Sequence, residues 1–270
     1  MSALDQVFAR CREQKRAAFI PFLMAGDPDL ETTESLIRAL AAGGADIIEL
    51  GVPFSDPIAD GPVNQQAAAR ALAAGTTMAG IFDVIARCRD SIRVPIVLFT
   101  YFNPIHARGI ERFSEQAAAS GVDGVLCVDL PPEAAADRFI PALTSRGLDT
   151  VFLLAPTSTK DRIAKVAAAS RGFVYYVSRT GVTGEQSALA PALIKEVKKV
   201  RRRLPLPLAV GFGISSPEQV AEVAKVADGV VVGSALVRLV GEHAEDPNLP
   251  SLIEERVRIL SSPLAAKAPA

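Results

Sequence analysis

Residues 46–62 read DIIELGVPFSDPIADGP. In an extended chain successive side chains alternate between two faces, so Ile47 and Glu49 share one face while Ile48 and Leu50 share the other. The apolar run then stops at a loop punctuated by Pro and Gly. Seven further short apolar runs recur along the chain: FIPFLM (19–24), PIVLFTY (95–101), GVLCV (124–128), TVFLL (150–154), FVYYV (173–177), LPLAVGF (206–212) and GVVVG (229–233). The stretches between them are Ala-rich and amphipathic, as in Leu36, Ile37, Leu40 or Val220, Val223, Ala224, which suits crossover helices between parallel strands. Eight strands alternating with helices predict an α/β protein closed into a single (β/α)8 TIM barrel. An open doubly wound sheet shares the alternation, but no GxGxxG opens the first helix and no shift of composition marks a second domain.

The 270 residues fit one such barrel, placed at residues 1–262, with the small, Pro-containing segment 263–270 expected to fray. Leu4, Val7, Phe8 and Cys11 fall at i, i+3, i+4 and i+7 and predict an additional N-terminal helix. The connection from Gly51 to about Val94 is long enough for an extended loop after strand 2 and a pair of helices. Loops that follow strands lie at the C-terminal mouth of a barrel, so this extra length falls on the side where barrel enzymes keep their sites.

Composition narrows the function. With 29 Lys and Arg against 30 Asp and Glu, the net charge of -1 provides no bulk field for nucleic acid or an anionic membrane. The charged residues Asp5, Arg10, Arg12, Glu13, Lys15 and Arg16 interrupt any signal-like core, and no apolar run approaches a membrane span, so a soluble cytoplasmic protein is expected. Cys11, Cys88 and Cys127 are odd in number and widely spaced, which fits a reducing compartment. His106 and His243 stand too far apart to suggest a metal centre, and no metal is expected. The lysines fall in helical or terminal segments, against imine chemistry at a strand end. Cys127 and Met24 read as core residues.

Three groups of residues remain at the strand ends. If Ile48 and Leu50 pack beneath the helices, Glu49 points into the barrel near its rim, loses hydration and gains a raised pKa suited to proton transfer. Taken alone, a strand-end glutamate is as readily a solvated group, and Asp56 and Asp60 are as readily turn formers. After the sixth strand, Tyr175 is followed by Ser178, Arg179, Thr180, Gly181, Val182, Thr183 and Gly184, a loop whose glycines suit closure over the mouth. After the seventh and eighth strands, Gly213 and Gly233 let the backbone approach a ligand and Ser234 opens a helix, an arrangement suited to phosphate.

Together ELGVPFSDPIADGP, YFNPI, LAPTST, VYYVSRTGVTG and GFGIS, in this order, resemble the tryptophan synthase alpha chain family from about Phe19 to about Leu239. The resemblance implies retro-aldol cleavage of indole-3-glycerol phosphate to indole and glyceraldehyde 3-phosphate, a lyase step in tryptophan biosynthesis. It implies Glu49 as the acid and base and Asp60 as the carboxylate facing the indole nitrogen. It also implies Phe22 in the indole pocket, Tyr175 beside the substrate, Thr183 closing over Asp60, and Gly184, Gly213, Gly233 and Ser234 at the phosphate. The family needs no cofactor in this chain. Its partner is a beta chain carrying pyridoxal phosphate, which receives the indole within an alpha2-beta2 heterotetramer, and Pro53, Asp56, Asn103, Asp129 and Pro131 match positions around that contact. Asn64, where an apolar residue is expected, and Phe102, where Tyr is frequent, depart from the pattern and are read as changes of local packing that leave the acid-base pair untouched. Two other readings fit parts of the sequence: a non-catalytic barrel subunit that only activates a beta chain, and another sugar-phosphate-binding barrel isomerase. The second leaves the loop after Glu49 unexplained.

Overall fold

The computed structural model describes residues 1–177, 191–211 and 213–265. All strand pairs are parallel, and the sheet order is β5-β4-β3-β2-β1-β9-β8-β7-β6. The strands are β1 (Ala18–Met24), β2 (Ile48–Gly51), β3 (Ile96–Thr100), β4 (Gly124–Cys127), β5 (Asp149–Val151), β6 (Leu153–Leu154), β7 (Val174–Val177), β8 (Leu208–Gly211) and β9 (Gly229–Val232). The two ends of this order, β5 and β6, are halves of one extended segment interrupted at Phe152. The chain itself therefore closes the ring: Val125 pairs with Thr150 on one side and Tyr175 with Leu153 on the other. The eight expected strands are present, with the fifth split where its partner changes.

Alternation sorts the strand residues into two cores. Phe19, Leu23, Ile48, Leu50, Ile96, Leu98, Val125, Val174, Tyr176, Val210 and Val230 pack with helix residues such as Leu36, Ile37 and Leu40 in the outer layer. The opposite parity fills the barrel: Ala18, Ile20, Ile47, Val97, Leu126, Val151, Tyr175, Ala209 and Val231. Each fully buried aliphatic or aromatic side chain contributes roughly 1.5–3 kcal/mol, so a one-residue slip of any strand would exchange core for solvent or cavity.

The N-terminal helix, Ala3–Glu13, is held at its start by a reciprocal pair: Asp5 N–H donates to Ser2 Oγ at 3.2 Å and Ser2 N–H to Asp5 Oδ2 at 3.0 Å. Its apolar face, Leu4, Val7, Phe8 and Cys11, joins the interior set and plugs the N-terminal end of the barrel. Phe8 tilts against Phe173 at 5.6 Å, and Leu4 lies over Gly124 and Gly172, where a larger residue would collide with it. The barrel interior at this end is therefore filled by side chains.

The long connection after β2 holds a loop at residues 52–61 and two helices, Pro62–Ala73 and Met78–Cys88. Beyond the helix Leu249–Ser261, a short turn Ser262–Leu264 buries Leu264, and residues 266–270 lie outside the described residues. No single helix among the described residues is long and apolar enough to cross a membrane.

Candidate active site

Glu49 sits in the parity class that faces the barrel interior, beside Phe22 of β1 and Val97 of β3 in register. It is 1% exposed, and its Oε1 has no hydrogen-bond partner among the described residues. Loss of hydration pushes its pKa from 4.5 up to about 8. At pH 7 the carboxyl is then roughly nine-tenths neutral, a proton donor rather than a carboxylate.

Asp60 reaches the same mouth from the loop after β2. Burial raises its pKa, and hydrogen bonding to Tyr101 and then to the Asn64 amide opposes that shift. Tyr101 Oη donates to Asp60 Oδ2 at 2.8 Å and accepts the Ala59 N–H at 3.0 Å, while its ring lies tilted against Phe54 at 5.1 Å. One phenol thus fixes both the backbone and the side chain of the segment that carries Asp60. Tyr101 was not singled out from the sequence, although it continues the inward parity of Val97 and Phe99.

Asn64 corrects an expectation. Instead of altering packing alone, its amide acts on Asp60 and favours the ionised form, while its Oδ1 is buried without a hydrogen-bond partner among the described residues. The departure from the family pattern therefore reaches one of the two proposed catalytic carboxyls. Phe102 stays local: its ring meets His106 and Phe139 at 5.6 and 6.4 Å.

Aromatic rings cluster at this end of the barrel. Phe22 and Phe99 meet edge-on at 5.5 Å, and Phe99 approaches Tyr175 at 6.5 Å, so Phe99 links two residues expected at the substrate. Both expected rings lie over glycines, because a Cβ on Gly51 would fall 2.7 Å from Phe22 Cζ and one on Gly211 would fall 2.5 Å from Tyr175 Oη. Burial, followed by the nearby Glu49 and Asp60 carboxyls, raises the Tyr175 pKa well above its ordinary value and keeps the phenol neutral.

Past β8, Gly213 takes a left-handed conformation at φ +64 with open space on its Cβ side. Past β9, Gly233 caps the helix Ser234–Glu242 without a side-chain cap; Leu236 N–H donates to the Gly233 carbonyl at 2.8 Å, while the N–H groups of Ser234 and Ala235 have no backbone partner among the described residues. A Cβ on Gly233 would stand 3.4 Å from Phe22, so this backbone adjoins the aromatic cluster. Thr183 and Gly184 lie outside the described residues.

Among the residues expected at a partner contact, Asp56, Asn103, Asp129 and Pro131 are exposed and Pro53 is buried. Asp129 accepts the Phe102 N–H at 2.7 Å and borders a cavity of about 200 Å³ with Cys127, Leu130, Pro131, Phe152 and Arg162. Ile58 is 89% exposed on the loop that carries Asp60, an apolar side chain the sequence reading passed over.

The family model described as tryptophan synthase alpha chain matches residues 8–260. The chain belongs to the tryptophan synthase alpha chain family. Among its relatives, the tryptophan synthase alpha chain of Geotalea daltonii is 51% identical over 267 residues, covering 98% of this chain and 100% of that one. The Citrifermentans bemidjiense counterpart is 57% identical over 238 residues, covering 88% and 89%. The crystal structure of tryptophan synthase subunit alpha from Legionella pneumophila superposes with a TM-score of 0.91 at 34% identity, covering 98% of each chain. A chain in the crystal structure of the tryptophan synthase complex from Pyrococcus furiosus superposes at 0.84 with 39% identity, covering 91% of this chain and 98% of that one. Membership in the tryptophan synthase alpha chain family makes this chain a lyase of tryptophan biosynthesis, acting by retro-aldol cleavage of indole-3-glycerol phosphate.

Proposed function

We propose that Glu49 and Asp60 divide the cleavage of indole-3-glycerol phosphate between them. Neutral Glu49 gives its proton to indole carbon 3, which places positive charge on the ring and its nitrogen. Asp60, ionised and held by Tyr101, accepts the ring N–H and stabilises that charge. The bond from carbon 3 to the glycerol chain then breaks, its electron pair returning to the ring. The hydroxyl on the released carbon becomes a carbonyl and gives its proton to the Glu49 carboxylate. Indole and glyceraldehyde 3-phosphate result, and Glu49 ends in its starting state.

Phe22 and Tyr175 flank the indole in this reading, Gly184, Gly213, Gly233 and Ser234 hold the phosphate, and Thr183 closes over Asp60. Indole passes to a beta chain carrying pyridoxal phosphate, which docks at the mouth around Pro53, Asp56, Asn103, Asp129 and Pro131 in an alpha2-beta2 assembly in the cytoplasm. The chemistry on this chain uses side chains and backbone alone.

The observation that carries the reading is a buried glutamic acid with a pKa of about 8 and an oxygen that has no hydrogen-bond partner among the described residues. Glu49→Gln should lower kcat for indole release by roughly a hundredfold to ten-thousandfold. Turnover within a few fold of wild type would remove Glu49 from the mechanism.

A further inference from the structure

The turn after β8 is clamped from two sides by residues outside the site described above. Gln219, 7% exposed, accepts through Oε1 from the Ser215 N–H at 2.8 Å, the Ser216 N–H at 3.3 Å and the Ser215 hydroxyl at 3.4 Å. Its own N–H donates to Ser216 Oγ at 3.4 Å, closing a capping box at the start of the helix Pro217–Ala224. Capping accounts for the bonds to Ser216 but not for those to Ser215.

The second clamp comes from the far end of the chain. Arg256, on the helix Leu249–Ser261, donates to the Ser215 carbonyl oxygen at 2.6 Å across 41 residues. The backbone N–H and carbonyl of Ser215 are therefore both fixed by side chains, one of them charged and so the stronger kind of donor. With the N–H groups of Ser215 and Ser216 turned toward Gln219, the turn is left to present Gly213, two residues upstream, at φ +64.

We propose that Gln219 and Arg256 are positioning residues for the substrate's phosphate group. They lock the Ser215 peptide, hold Gly213 in its left-handed conformation and make the turn a preformed dianion site, so that no ordering is needed when substrate binds. Arg256 also places a cation behind the turn. The inference rests on the phosphate assignment to Gly213 made above.

The test compares inhibitors with and without phosphate in indole-3-glycerol phosphate cleavage by the full chain. In Arg256→Met, the KM for substrate and the inhibition constant of glycerol 3-phosphate should each rise roughly fivefold to twentyfold, with kcat within about twofold. The inhibition constant of indole, which lacks phosphate, should stay unchanged, and Arg256→Lys should recover part of the loss. Gln219→Leu should act in the same direction. An unchanged constant for glycerol 3-phosphate in Arg256→Met, or an equal loss for indole, overturns the clamp. Gly213→Ala separates the two levels: if it leaves glycerol 3-phosphate binding intact, the phosphate assignment itself is wrong. If it weakens that binding while Arg256→Met does not, only the clamp is wrong.

Discussion

The two ends of the barrel differ in what fills the interior, although each buries a carboxyl oxygen without a hydrogen-bond partner among the described residues, Asp149 Oδ2 at one end and Glu49 Oε1 at the other. At the N-terminal end Leu4, Val7, Phe8 and Cys11 seal the interior with apolar contact. At the C-terminal end the barrel buries a glutamic acid, and Glu49 Oε1 and the nearby Asn64 Oδ1 both lack a hydrogen-bond partner among the described residues. Unpaired buried polar atoms each cost about 1–3 kcal/mol, so the mouth is held in an unfavourable arrangement by packing elsewhere. The plug stabilises the fold, and the mouth draws on that stability to keep a carboxyl neutral.

The sharpest way to break this comparison is to damage the plug. Phe8→Ala removes the ring packed against Phe173 and should cost about 3–5 kcal/mol in urea unfolding. The kcat of the folded enzyme should remain within about twofold, and a large fall would show that the two ends are coupled.

The reverse substitution at the mouth should stabilise. Glu49 has a folded pKa of about 8 against 4.5 unfolded, so its contribution is complete below about pH 4.5 and is lost as pH rises through 8. By pH 7 that loss amounts to about 3 kcal/mol. Glu49→Gln, which cannot ionise, should therefore gain on the wild type in unfolding free energy between pH 5 and 8 even as it loses activity. Parallel stability curves across that range would mean that Glu49 is hydrated and ionised.

A smaller effect tests the hold on Asp60. Tyr101→Phe removes the 2.8 Å hydrogen bond and one of the two groups that oppose its desolvation. The acidic limb of the kcat profile should move to higher pH, because protonated Asp60 cannot accept the indole N–H, and kcat should fall roughly fivefold to twentyfold. Asn64→Leu should shift the limb in the same direction by less. A profile unmoved by either change would make both residues structural only.

The inward aim of Glu49 was legible because strand parity is local: once Ile48 and Leu50 face the helices, Glu49 has no other direction. The plug was legible for the same reason, through the helical spacing of Leu4, Val7, Phe8 and Cys11. The break at Phe152 was not, since TVFLL reads as one strand and the interruption falls where its pairing passes from β4 to β7. Asn64 was read as packing because its helix position gives no sign that Asp60 lies beside it.

The sequence by itself determined the alternation of strands and helices, the parity of each strand, and motifs dense enough to identify the family, because these depend on neighbours a few residues apart. Only the tertiary structure decided which groups surround the two carboxyls and the phosphate turn. Tyr101 meets Asp60, and Arg256 meets Ser215, each across 41 residues. Periodicity carries no information at that separation. Such contacts exist only once the ring has closed and the loops of its mouth have been brought together.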